Sequence, residues 1–498
     1  MKNKPRKAPD VVIIGSGMGG ASLAAGLAPT GAEIVILERG QQIPSTAPTR
    51  DPWRIYTNSA FRAPETWEDA DGQPFEPGNY YNVGGNSKLY GAVLIRYRAE
   101  DFDEMAHWDG ISPAWPFPYA TLAPWYDRAE TLYRVRGDTT SDPTEPAHQT
   151  AYPHPPVPDE PAIAKARQRL AKAGAQPFTL PLGVDIDTWL SHGQDGWDGY
   201  PDTRSGKMDA ETCGLAAALA HDNVRLITGA RVTRVTVGDD NRRIASVSYH
   251  ADGEEVTLTP AIVAVAAGAV QSAALLLRSG VANSTDQVGR HFMNHNASAV
   301  IAIDPRFRND ATYQKTFGIN DWYLSDGSGG KPLGNVQLLG RVTPDILKIQ
   351  VPQLPMPVAR WISHHALDLY LISEDLPDPE SRVTLKGDRI RLAWRRSNMT
   401  AHRKLVSKTK STLRAAGFPV TLSRLFDGRV PSHQCGTARI GDDPATSVCD
   451  PDNRSWDHPN LFVVDAAALP TSAAVNPALT VAALALRAAD AIAKDLAA

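Results

Sequence analysis

Val11-Val12-Ile13-Ile14-Gly15-Ser16-Gly17-Met18-Gly19-Gly20 sets the fold class. Four consecutive β-branched residues suit a strand buried on both faces. A Gly-x-Gly-x-x-Gly run follows at once, and Ala21 to about Ala28 then reads as a helix. Gly31 breaks that helix, and Glu33-Ile34-Val35-Ile36-Leu37-Glu38 is a second strand. The pattern is a βαβ unit. Gly15 permits the tight strand-to-helix turn, Gly17 lets backbone approach a pyrophosphate, and Gly20 lets the helix pack closely. The helix start offers N–H donors and partial positive charge to phosphate oxygens. Glu38, 18 positions after Gly20, can accept a hydrogen bond from an adenosine ribose, and its charge disfavours a 2′-phosphate. On these residues FAD and NAD are equally good ligands.

Outward from this unit, the buried-strand signature returns at Ala261–Ala266 and at Leu461–Val464, and the chain ends in an alanine-rich helix from Pro477. Residues 41–200 read differently. They are rich in Pro, Trp and Tyr, their apolar periodicity is weak, and 137–160 has the composition of a surface loop before a helix at Pro161–Gly174. Met208–His221 predicts another helix, followed by strands at Val224–Thr228, Arg231–Val237, Ile244–His250 and Val256–Thr259. Residues 297–395 alternate strand-like segments with Gly/Pro/Asp turns, as an antiparallel sheet does, and Ala401–Ala416 is helical. There is no internal repeat.

The 498 residues correspond to about three domains by length alone. Their 42% hydrophobic and 21% charged content is ordinary for a globular chain. With 51 basic against 55 acidic side chains the net charge is −4, which attracts neither nucleic acid nor an anionic membrane. Three cysteines (Cys213, Cys435, Cys449), none in CxxC spacing, exclude a disulfide framework and suggest no zinc or thiol-redox motif. The basic N-terminus is followed by only four apolar residues, too few for a signal peptide. The apolar stretch Ala261–Leu277 is interrupted by Gly268, Gln271 and Ser272, and reads as strand, turn and helix rather than a membrane span. The expectation is a cytoplasmic protein.

Two further segments carry chemistry. In Asn82-Val83-Gly84-Gly85-Asn86-Ser87-Lys88-Leu89-Tyr90-Gly91, paired glycines and small polar residues suit a backbone pressed against a flat cofactor, although alone the segment reads as a surface turn. Near the C-terminus, Ser432-His433-Gln434-Cys435-Gly436-Thr437 sets a histidine beside a Gly-Thr turn, Asp465 ends a strand, and Asn476-Pro477 opens the last helix. Asn476 is a good N-cap and Pro477 a good first helical residue, so capping alone would account for both.

Taken in order, these pieces resemble the glucose–methanol–choline (GMC) family of FAD-dependent alcohol oxidoreductases, and most of all its bacterial pyranose-oxidase-like and glycoside 3-oxidase members. The resemblance rests on the N-terminal fingerprint, Gly84-Gly85, Gly268-Ala269-Val270-Gln271-Ser272 through Gly280, His433 to Thr437, and Asn460 to Asp465 through Asn476-Pro477. It implies a noncovalent FAD, because some relatives attach the flavin through a histidine where this chain has Ser87 and Lys88. Ala273 and Ala466 depart from the usual Pro and Gly without touching the chemistry. It implies His433 as the base, Asn476 holding the substrate oxygen, Asp465 on the ribityl chain and the Val232 backbone on the adenine. The metal expectation is none. His364-His365 has no third ligand, and neighbours on a strand point to opposite faces.

The expected fold class is α/β. A discontinuous Rossmann-like FAD-binding domain would come from residues 1–100, 205–300 and 430–498. A substrate domain, an antiparallel sheet backed by helices with lid loops, would come from 101–204 and 301–429. The expected reaction is oxidation of a secondary alcohol of a pyranose or glycoside, at C2 or C3, with reoxidation by oxygen or another acceptor. A choline-like, aryl or sterol alcohol is the alternative substrate. An NAD-dependent dehydrogenase shares the fingerprint but explains none of the later segments, and a noncatalytic flavin-binding protein would need His433 far from the flavin. Five of the eleven tryptophans fall between Trp53 and Trp125 with many tyrosines, which suits sugar stacking or packing. Asn309–Gly334, polar and glycine-rich, reads as a mobile loop that could gate a hydrophilic pocket, and His291-Phe292-Met293-Asn294-His295 as a flavin-side junction.

Overall fold

The computed structural model describes residues 8–44, 51–58, 60–62, 65–191, 197–201, 206–427 and 433–497. Val11–Ile14, Ile34–Leu37, Val224–Ile227, Ile262–Val265 and Leu461–Val463 form one five-stranded parallel sheet. The first strand lies at its centre, between Ile262–Val265 and Ile34–Leu37. All four of its residues are buried, as a run apolar on both faces requires. Strands from the beginning, middle and end of the chain thus meet in one sheet.

Small residues set the packing around it. The helices Met18–Leu27 and Ala478–Ala497 come so close that a Cβ on Gly26 would lie 2.7 Å from that of Ala489. The helix Tyr119–Leu132 joins the C-terminal helix through Tyr126 Oη and Thr480 Oγ1 at 2.7 Å and through Trp125 Nε1 donating to Asp490 at 2.9 Å. No helix was expected there; Pro124 in its interior and its weak apolar periodicity conceal it.

The second large sheet has six strands, ordered Val420–Leu425, Asn296–Ile303, Ala366–Ser373, Asn335–Leu338, Phe317–Ile319 and Pro177–Thr179, every neighbouring pair antiparallel. The helix Met399–Ala415 lays Leu405 and Leu413 into a cluster with Val300, Leu369 and Leu371 of this sheet. A three-stranded antiparallel sheet, Arg231–Val237, Ile244–Ala251 and Glu254–Leu258, pairs with neither and is tied to the parallel sheet through the Ile244 backbone and the Asn460 side chain. Among the described residues no helix is long and apolar enough to cross a membrane.

Three expectations need correction. Met208–His221 is helical only over Glu211–Leu219, wound as a π-helix at Glu211–Leu215 and as an α-helix at Ala216–Leu219, and Gly214 lies so close to the first helix that a Cβ would meet that of Ala21 at 2.9 Å. Asn309–Gly334 is not an open loop. Tyr313 to Asn320 are all buried, Phe317–Ile319 is a strand, and Asn320 Nδ2 donates to Asp142 at 2.7 Å; Asp310, Gly327 to Gly329 and Lys331 are its exposed residues. His364 and His365 end the helix Met356–His365 rather than lying on a strand, with His364 facing Asp310 and His365 held on the Trp361 carbonyl. The aromatic residues of the 53–126 region are mostly core. Trp67, Tyr97, Trp115, Tyr119 and Tyr126 are buried, whereas Tyr80, Tyr81 and Tyr90 line the cavity described next.

Candidate active site

A cavity of about 530 Å³ is walled by residues of the parallel sheet's loops and of the six-stranded sheet. Three helices begin at it, at Gly17-Met18, Gly268-Ala269 and Pro477-Ala478, each offering unpaired N–H groups and the positive end of its dipole. The glycines of the first turn divide their work. Gly15 has φ +107°, and a Cβ there would lie 2.3 Å from the Ala266 carbonyl oxygen; on Gly20 it would lie 2.1 Å from that of Gly15. At Gly17 a Cβ would meet nothing within 4 Å, so its bare backbone faces the cavity. That placement fits a diphosphate.

Glu38, Arg231 and Val232 share one part of the wall. Glu38 Oε2 accepts from Ser16 N (3.1 Å) and Ser16 Oγ (2.7 Å), and Oε1 from Gly40 N (2.8 Å). Burial outweighs these bonds and raises its pKa. Gly84 and Gly85 both have positive φ, at +85° and +57°. Their turn is fastened by Gly84 N donating to Ser16 Oγ (3.1 Å) and Ser87 Oγ donating to Gly84 O (2.6 Å). Gly85, Asn86 and Ser87 line the cavity; Gly20 and Gly84 lie behind its wall. Lys88 turns away into a buried ion pair with Asp209 (2.8 Å) and Glu211 (2.7 Å). Asp465 also lines the cavity and accepts from Ser272 Oγ (2.5 Å), Ala467 N (2.7 Å) and Gly268 N (2.8 Å).

A second part of the wall gathers His433, Asn476, Gln337, Tyr370, Lys315 and Asp198. Asn476 is not spent on capping. Its Nδ2 lies 3.3 Å from His433 Nε2, and its Oδ1 accepts from Gln337 Nε2 at 3.0 Å. His433 holds a left-handed backbone, φ +71°, which costs a non-glycine residue of order 1 kcal/mol or more and persists where the surroundings impose it. Its Nδ1 lies 2.7 Å from His295 Nδ1, and the rings meet edge to face. Burial, then His295 and Lys315, hold the His433 pKa well below 6.5, and burial brings His295 to about 4. Lys315 pairs with Asp198.

His295, Gln337, Lys315 and Asp198 escaped the sequence reading as site residues. His295 lay in the segment read as a flavin-side junction and Lys315 in the stretch read as a gating loop; neither His295 nor His291 is on the cavity wall, and His295 reaches the site through His433. Elsewhere, Asp127, Glu130 and His148 bring ligand atoms within 4.8 Å of one another, as a metal site would. Arg96 already pairs with both carboxylates and neutralises charge there, with contacts of 2.6 and 2.7 Å to Glu130 and 2.9 Å to Asp127 Oδ1. Dialysis against a chelator is therefore expected to leave the melting temperature unchanged; a drop reversed by a divalent metal in a thermal melt would refute this.

The sequence matches the GMC oxidoreductase family, its N-terminal part over residues 12–297 and its C-terminal part over 377–485. It is 31% identical to paromamine 6′-oxidase of Streptomyces fradiae over 98% of this chain and 92% of that one. It is 28% identical to C-glycoside 3-oxidase of Microbacterium trichothecenolyticum over 55% of each chain. The fold is similar to the crystal structure of pyridoxine 4-oxidase from Mesorbium loti, with TM-score 0.67, 20% identity, and coverage of 97% of this chain and 99% of that one.

Proposed function

Since this chain belongs to the GMC oxidoreductase family, a family of FAD enzymes that oxidise CH–OH groups, we propose that it oxidises a hydroxyl of a sugar or glycoside with His433 as the base. Bound FAD supplies the acceptor for the hydride leaving the carbinol carbon, and the protein supplies position and a proton acceptor. Gly17 and the helix start at Met18 would face the pyrophosphate, Glu38 an adenosine ribose hydroxyl and the Val232 backbone the adenine. Gly85, Asn86 and Ser87 would lie along the flavin, Asp465 against the ribityl chain, and the helix start at Pro477 beside the ring. The flavin is held noncovalently: Asn86, Ser87, Leu89 and Tyr90 line the cavity after the paired glycines, no histidine stands among them, and Lys88 is engaged elsewhere.

The observation that carries the reading is the pair of His433 Nε2 and Asn476 Nδ2, 3.3 Å apart in the cavity wall. A substrate hydroxyl that displaces this contact would donate its proton to Nε2 while its oxygen accepts an N–H from Asn476. The surrounding Gln337, Lys315, Asp198 and Trp197 form a polar wall suited to a polyhydroxylated ring. The names of the aminoglycoside and C-glycoside oxidases point the same way. The hydroxyl is a ring alcohol at C2 or C3; the 6′-oxidase matching nearly the whole chain supports a primary carbinol as the second reading.

Anaerobic bleaching of the flavin band by a panel of glucose, xylose, plant glycosides, an aminoglycoside, choline and an aryl alcohol tests this. Sugars or glycosides should bleach it, and NMR of the product distinguishes a ring ketone from an aldehyde. Bleaching by choline or the aryl alcohol alone would overturn the proposal.

A pH prediction follows from the lowered His433 pKa. The base works unprotonated, so a folded pKa held below 6.5 keeps it competent as pH falls through that value. The bleaching rate is expected to stay level from about pH 8 to 6.5 and to decline only below. An acid limb centred at or above 6.5 in the rate profile would contradict the assignment.

A further inference from the structure

We infer that His295 is a positioning residue that fixes the tautomer of His433 and so aims its unprotonated Nε2 at the substrate. The inference rests on the functional reading above. His295 Nε2 lies 2.8 Å from the Ser472 carbonyl oxygen and 3.0 Å from that of Ala473. Carbonyls only accept, so this nitrogen carries the hydrogen, and a neutral imidazole then has a bare lone pair at Nδ1. That lone pair faces His433 Nδ1 at 2.7 Å. Two lone pairs cannot make this contact, so His433 carries its hydrogen on Nδ1 and donates it. His433 Nε2 is then the nitrogen without hydrogen, and it accepts from Asn476 Nδ2, a contact the substrate hydroxyl would take over. One polarity runs from two backbone carbonyls through two imidazoles to the cavity.

When the substrate O–H breaks, its proton goes to His433 Nε2, and the imidazolium keeps its Nδ1–H on His295. Without His295, and once the substrate hydroxyl has taken over the Asn476 contact, nothing holds the hydrogen of neutral His433 on Nδ1 rather than on Nε2, the wrong nitrogen for a base. The charged neighbours are already paired. Lys315, close to His433, is held by Asp198, and Glu374, close to His295, is held by His107 at 3.0 Å. Tyr370 packs its ring edge to face on His433.

The test uses flavin-loaded protein and three substitutions. His295→Leu removes the acceptor and should lower the limiting bleaching rate about 100-fold with a substrate concentration dependence changed less than about threefold. His295→Asn keeps an acceptor atom and should stay within about tenfold of the parent. His295→Asp places a carboxylate on the Nδ1–H and should move the acid limb up by about one pH unit or more. Independently of activity, ¹⁵N-histidine NMR should find His433 in the Nδ1–H form in the parent and lose that form in His295→Leu. Equal slowing by Leu and Asn, an unmoved limb in Asp, or an Nε2–H parent would overturn the inference. If the Leu variant fails to hold flavin, the Asn and Asp variants decide it. A parent protein that no alcohol bleaches fails the functional reading instead, and the NMR result still decides the tautomer.

Discussion

Replacing His433 with alanine is expected to slow anaerobic flavin bleaching by about 1,000-fold while the flavin stays bound. A positioned base contributes about 10²–10⁴ in rate, and a thousandfold corresponds to about 4 kcal/mol of barrier. Binding should survive because the His433 side chain bonds to His295 and Asn476, whereas the bare backbone at Gly17, the Gly85–Ser87 turn and Asp465 are built by other contacts. The backbone needs its own control. At φ +71° alanine inherits the strain that histidine bore, whereas glycine adopts this conformation freely. His433→Gly should therefore be as slow as His433→Ala, and added imidazole should restore part of the rate in both. Stopped-flow rates within fivefold of the parent in either variant, with full flavin content, would remove His433 from the mechanism.

The legibility of this site divides along sequence distance. The run from Val11 to Gly20 carries a short strand apolar on both faces, a glycine turn and a helix start within ten residues, a pattern the sequence expresses although the close neighbours of Gly15 and Gly19 are the distant Ala266 and Val464. The parallel strands at Ile262–Val265 and Leu461–Val463 are legible for the same reason, being short and apolar on both faces. Asn476 was legible only as a choice between a cap and a site residue. The choice falls to Gln337 and His433, 139 and 43 positions away, which hold both ends of its amide. Gln337 had no local signature at all, and His295 was legible only as part of a segment read as a flavin-side junction. Gln337 lies in a strand of the six-stranded sheet and His295 directly before another, each meeting partners far along the chain, and a strand's pairing says nothing in advance about which side chain will face a cavity. Asn309–Gly334 misled for the opposite reason. Its polar composition suggested solvent, yet Asn309, Gln314 and Asn320 spend their amides on buried partners, including Ala366 O, Leu339 O and Asp142.

Lys88 shows how a residue beside the cavity can act wholly through the fold, and Lys88→Met is expected to cost about 3–5 kcal/mol of stability. The Lys88 and Asp209 side chains are 0% exposed and that of Glu211 is 16% exposed, so water cannot take over the ammonium's role. Methionine fills a similar volume but leaves two carboxylates facing each other around an apolar atom. The ion pair itself is not the source of that cost, since taking all three charges out of water consumes most of what their attraction returns. The triple variant Lys88→Met, Asp209→Leu, Glu211→Gln should therefore recover most of the loss, which a simple bond-count would not expect. The functional consequence runs through Ser87, the next residue in the same turn, whose hydroxyl ties Gly84 O and Ala210 N together. Loosening that turn frees Gly85 and Asn86 in the cavity wall, so the single variant should release flavin at lower denaturant concentration than the parent and the triple variant near the parent's. Denaturant titration followed by both far-ultraviolet dichroism and flavin fluorescence reads the two effects separately. A single variant as stable as the parent, or a triple variant no better than the single one, would show that the buried pair does not anchor the turn.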